Sequence, residues 1–132
     1  NETIQVLMNR KSVRVFEDKE ITPEIKDIIL AAAMRARLRG LRVKHVHNSI
    51  RIIIDVTDQS IKDKLAETCD HQPFIAQAKM VLIFCADYHR WYRKFKMAGC
   101  EDIPAPELSN MVLATEDAVI AAHTACIAAE SL

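Results

Sequence analysis

The sequence predicts one globular, helix-rich domain with two core strands, and three observations carry that expectation. At 132 residues the chain has the length of a single domain, residues 1–132, long enough to bury a core. Half of its residues are hydrophobic and only two are glycine, a composition that is neither disordered nor fibrous. Two nearly continuous apolar runs, residues 50–56 and 80–86, read as buried strands between stretches of helical period.

In chain order, residues 2–9 place Ile4, Leu7 and Met8 at helical spacing. That short helix delivers Arg10-Lys11-Ser12-Val13-Arg14-Val15-Phe16. If this stretch is extended, Arg10, Ser12 and Arg14 share one face and Val13 and Val15 the other. Two guanidinium forks and a hydroxyl on one edge suit a phosphate or the carbonyl edge of a planar cofactor. A strand with a solvated polar face fits the same pattern. Thr22-Pro23-Glu24 is a helix start, with a capping hydroxyl, a proline at the first position and an acid near the positive dipole end. Ile25, Ile28, Ile29, Ala32 and Ala33 then form one apolar stripe.

The first buried strand follows at 50–56, then an amphipathic helix over 60–69 with Ile61, Leu65 and Ala66 inward. The second strand, 80–86, carries Asp87 at its carboxyl end. The helix over 88–97 holds Tyr88, Trp91, Tyr92 and Phe95. Asp87, His89 and Trp91 could line a pocket, or Trp91 and Tyr92 could pack a satellite core. Pro104 and Pro106 mark a loop, and Ser109 caps a long helix running to the end of the chain. Its alanines permit close approach, and its apolar residues surround most of its circumference. It should therefore be buried on most sides, as a core helix or partly against another subunit.

A formal net charge of zero gives no general pull toward nucleic acid or membrane. No secretory segment opens the chain and no apolar run reaches spanning length, so a cytoplasmic, soluble protein with reduced thiols is expected. Its four cysteines show no C-x-x-C and no zinc spacing, and the His45/His47 pair lacks a third ligand, so no metal site is expected. The charge is unevenly spread: Arg35, Arg37, Arg39, Arg42, Lys44 and Arg51 fall in a stretch free of acids. They could form a polyanion-binding module, though without the aromatic interleaving or fold motif of a nucleic-acid binder.

Four features in order give a family resemblance. They are Arg10-Lys11-Ser12-Val13-Arg14-Val15-Phe16, the Thr22-Pro23 helix, His71-Gln72-Pro73-Phe74 leading into Val81-Leu82-Ile83-Phe84-Cys85-Ala86-Asp87, and Glu116-Asp117-Ala118 running to Ala128-Ala129-Glu130-Ser131-Leu132. With these the chain resembles the FMN-dependent nitroreductases and flavin reductases. The resemblance implies an α+β, nitroreductase-like fold with an antiparallel-dominated sheet flanked by helices, assembled as a homodimer with FMN at the interface. By position it implies that Arg10, Lys11, Ser12 and Arg14 contact FMN, and that Gln72 lies near the flavin. The implied reaction is ping-pong: NAD(P)H donates hydride, and a nitroaromatic, quinone or flavin accepts electrons. The cofactor carries that chemistry, so no catalytic acid, base or nucleophile is expected. Two departures stand out. Where the family has a small-residue loop, residues 37–48 bring bulky cations, expected to form a mobile surface loop. The chain also stops at Leu132 where the family continues, which implies a domain incomplete at its C-terminus. A non-catalytic fragment that oligomerises through its alanine-rich helix is the alternative.

Overall fold

Local capping sets the helix boundaries in the computed structural model, which describes residues 1–36 and 51–132. Helix α1 (Glu2–Asn9) opens at Asn1, whose side chain accepts the Thr3 amide at 3.0 Å. Helix α2 (Pro23–Arg35) starts as the sequence predicts, with the Thr22 hydroxyl accepting from the Ile25 amide at 3.4 Å. Helix α3 (Gln59–Thr68) begins at Asp58, which accepts the amides of Ser60 at 2.8 Å and Ile61 at 3.3 Å. A short helix α4 (Phe74–Gln77) is too brief for its period to show in the sequence, and α5 spans Arg90–Met97. Helix α6 (Leu108–Glu130) is capped by Glu107 rather than Ser109. Glu107 and Asn110 form a reciprocal capping box, the Asn110 side chain accepting the Glu107 amide at 2.8 Å.

Strand β1 (Arg51–Asp55) pairs antiparallel with β2 (Leu82–Ala86), Ile53 opposite Phe84. These two strands form the sheet of the described residues. Helix α6 lies across α2 and both strands. Its Ala114, Ala118, Ala121 and Ala125 are buried, and Ile29 and Ala33 of α2 join Ala125 in a core flanked by Ile53, Leu82 and Phe84. Small side chains on α6 let the backbones approach closely, which is how so few large residues close this core.

Several expectations of burial are corrected. Ile52 and Ile54 are 40% and 46% exposed, so β1 is covered on one face where its unbroken apolar run suggested two. Ile61 is half exposed; Lys62 is buried in its place, with its ammonium donating to the Ala78 carbonyl at 3.0 Å. Lys62 and Ala66, four apart, define the inward edge of α3. Met111, Val112, Val119 and Ile120 of α6 are exposed, so this helix is buried along one side only. By length and composition α6 could cross a membrane, contrary to the expectation that no run was long enough. Its alanine side and Asp117 nevertheless face protein. The expected loop 37–48 and the His45/His47 pair lie outside the described residues.

Candidate functional site

Arg10 ends α1 with φ −57° and ψ 131°, so the helix stops there and residues 10–16 continue as an arm outside any helix. Among the described residues the arm joins no sheet. Arg10, Lys11, Ser12 and Arg14 are all exposed, and none of these side chains makes an ion pair or hydrogen bond among the described residues. The Arg14 guanidinium lies over the ring of Phe74, 5.7 Å from its centroid. Phe16 meets the same ring edge-on, centroids 6.5 Å apart at 61°. Arg14 and Phe16, two residues apart, thus close on a single aromatic platform.

A second fastening follows. The Lys79 ammonium binds both Asp18 and Glu20 at 2.8 Å. Its hydrogen bond and charge hold the Asp18 carboxyl below the usual range, while Asp18 and then Glu20 raise the Lys79 pKa. Between the two fastenings runs an open groove of about 500 Å³, lined in part by Val13, Val15, Ile25 and Met80.

Gln72 sits in the turn after α3, which Asp70 (φ 61°) and His71 (φ 51°) form in left-handed conformation. The Gln72 amide donates to the Ala66 carbonyl at 2.7 Å, and its Nε2 to the Cys69 carbonyl at 2.9 Å. Its side-chain nitrogen thus helps close α3, and its oxygen remains as an acceptor. Arg14 is the predicted residue that reaches this turn, through Phe74, while Arg10, Lys11 and Ser12 stand in solvent.

The basic stretch loses one member. Arg51 is 3% exposed, and its guanidinium binds Asp117 at 2.5 Å. It also donates to the carbonyls of Ala33 (3.0 Å), Met34 (3.3 Å) and Ala36 (2.6 Å). These belong to the last turn and C-cap of α2, whose carbonyls a helix leaves unpaired. Arg51 is a structural cation, not part of a polyanion surface. At the end of β2, Asp87 accepts from Arg93 at 3.4 Å, and Asp87 and His89 line a shallow cleft of about 300 Å³. Trp91 turns instead to Phe95, ring centroids 6.2 Å apart, with Lys94 over it at 5.0 Å. The sequence named Phe74 and Asp117 only as parts of motifs, with no partner, and did not single out Lys79, since each acts through a residue about sixty positions distant.

The described architecture matches solved structures closely. Nitroreductase A from Vibrio parahaemolyticus superposes with a TM-score of 0.83 at 28% identity, over 99% of this chain and 52% of that one. The chain has the nitroreductase fold. Bacillus megaterium NfrA2 gives the same TM-score at 30% identity, over 99% of this chain and 51% of its own. Among curated proteins, the FMN reductase [NAD(P)H] of Bacillus subtilis is 33% identical across all of this chain and 51% of that protein. The oxygen-insensitive NADPH nitroreductase of Salmonella typhimurium is 28% identical over 98% of this chain and 50% of its own length. This nitroreductase-fold chain therefore spans about half the length of the curated relatives it matches, and no protein-family model matches it. The relatives are of the two kinds that the motifs suggest, flavin reductases and nitroreductases.

Proposed function

We propose that the chain forms part of an FMN-dependent NAD(P)H oxidoreductase, with the cofactor held in part by Arg10, Lys11, Ser12, Arg14 and Gln72. The observation that carries this reading is the arm: three cations and a hydroxyl, exposed and without side-chain polar partners among the described residues, in a chain with the nitroreductase fold. Donors with no internal partner fit a dianionic phosphate, and an arginine fork meets such a group with two parallel hydrogen bonds. A cation placed at the flavin pyrimidine edge would also stabilise negative charge developing there. The Gln72 oxygen, left over after Nε2 binds Cys69, would accept a flavin N–H. Bound FMN supplies the redox chemistry, hydride from NAD(P)H and then electrons to a nitroaromatic, quinone or free flavin in a ping-pong cycle.

The same reading makes the protein a cytoplasmic homodimer. The uncovered face of α6, with Met111, Val112, Val119 and Ile120, is the surface a second copy would cover. Titrating FMN with the purified protein and following flavin fluorescence tests the cofactor claim. Arg14→Ala should weaken binding by roughly ten- to a hundredfold, the loss expected for one charge-assisted contact. Lys11→Ala should cost less, because an extended arm turns Lys11 to the opposite face. A folded protein that leaves flavin fluorescence unchanged refutes the reading.

A further inference from the structure

We infer that Lys79 is a positioning residue, whose ammonium bridges Asp18 and Glu20 and so holds residues 11–21, the arm and its continuation, in place for the cofactor; this rests on the FMN reading above. The segment has little else to hold it. Residues 11–21 are exposed, lie outside any helix or strand, and make no backbone hydrogen bond among the described residues. Their ring contacts run to Phe74, through Arg14 and Phe16. Their polar side-chain links among the described residues both run to Lys79, at 2.8 Å to Asp18 and 2.8 Å to Glu20.

An ammonium carries three donors, enough to serve two carboxylates at once. The post that bears it is fixed where the arm is not. Lys79 stands between α4 and β2, and its neighbours are tied on both sides. The Ala78 amide donates to the Phe74 carbonyl at 3.0 Å, and the Ala78 carbonyl accepts the Lys62 ammonium at 3.0 Å. Two residues beyond Lys79, the Val81 carbonyl accepts the Val56 amide at 2.9 Å. Ordering a free segment on a ligand is unfavourable, and a segment already fastened loses less chain entropy when it binds.

FMN is titrated by fluorescence into the parent, Lys79→Met, Lys79→Arg, the double variant Asp18→Asn with Glu20→Gln, and all three neutral changes together. Backbone amide NMR relaxation of residues 11–21 is measured on the same proteins without FMN. Lys79→Met should weaken FMN about two- to fivefold, the scale of an exposed ion pair, and should raise the mobility of residues 11–21. The Asp18/Glu20 variant should do the same, the triple variant should be no worse than either, and Lys79→Arg should behave like the parent. A Lys79 that merely attracted an anionic cofactor through space would give the opposite sign, because removing two negative charges would then tighten FMN. Asp18 and Glu20 are 98% and 82% exposed, so their neutralisation tests the clip even if Lys79→Met does not fold. Tighter or unchanged binding in the Asp18/Glu20 variant, unchanged mobility of residues 11–21, or an equal loss in Lys79→Arg and Lys79→Met would overturn the inference while leaving FMN binding in place. A folded parent that binds no FMN overturns the FMN reading and this inference with it.

Discussion

Asp117→Ala tests the interior electrostatics of this chain. The side chains of Arg51 and Asp117 are 1% and 2% exposed, and their contact is 2.5 Å. An exposed pair would contribute about 0–1 kcal/mol. Removing one partner of a buried pair instead leaves a charge without its counter-ion, at a cost of about 3–5 kcal/mol. That is a large part of the roughly 5–15 kcal/mol that holds a domain folded. With a urea dependence of about 2 kcal/mol per molar, the unfolding midpoint should fall by about 2 M. Urea titration followed by far-UV circular dichroism and by the fluorescence of Trp91, the single tryptophan, measures this. Replacing the pair together, as Arg51→Met with Asp117→Leu, should cost less than the two single changes added. It should still fall below the parent, because the α2 carbonyls lose their donor. A loss under about 1 kcal/mol for Asp117→Ala would refute the argument from burial.

Two further outcomes follow from surface features. Asp18 has its folded pKa below the ordinary 3.8, so the stability of its link to Lys79 is fully present above that pH and lost as pH falls through the lowered value. NMR titration of the Asp18 carboxyl carbon should give a midpoint below 3.8, and Lys79→Met should return it to the ordinary range; an unchanged midpoint would exclude Lys79 as the cause. For assembly, Val119→Glu places a charge in the uncovered α6 face and should convert a sedimenting dimer to monomer, whereas a parent already monomeric at tens of micromolar (roughly the range for such association) counts against the homodimer.

Local chemistry was legible in the sequence and distant pairing was not. Thr22-Pro23 marks the start of α2 correctly because a cap and its amide lie three residues apart. The cap of α6 is less plain, since Glu107 and Ser109 both lie near its start and the reciprocal bond to Asn110 decides between them. The run at 50–56 locates β1, but composition does not reveal how many faces are covered, and Ile52 and Ile54 are exposed. Arg51 looked like one cation among six because its partner, Asp117, lies on α6, far along the chain. The arm shows the same division. Its cations were readable from the sequence; that Arg14 and Phe16 meet one ring, and that the ring is Phe74, depends on the tertiary fold.

Arg51 is also the first residue of β1, and its guanidinium grips the Ala36 carbonyl at the end of α2. The chain leaving one element and the chain entering the next are therefore clasped at a single point, from inside the core. Doubling the length of a connection with fixed ends raises its closure entropy by only about 0.6 kcal/mol. The clasp therefore gives this connection fixed ends: whatever links Ala36 to Arg51 starts and finishes at anchors that one buried guanidinium holds together.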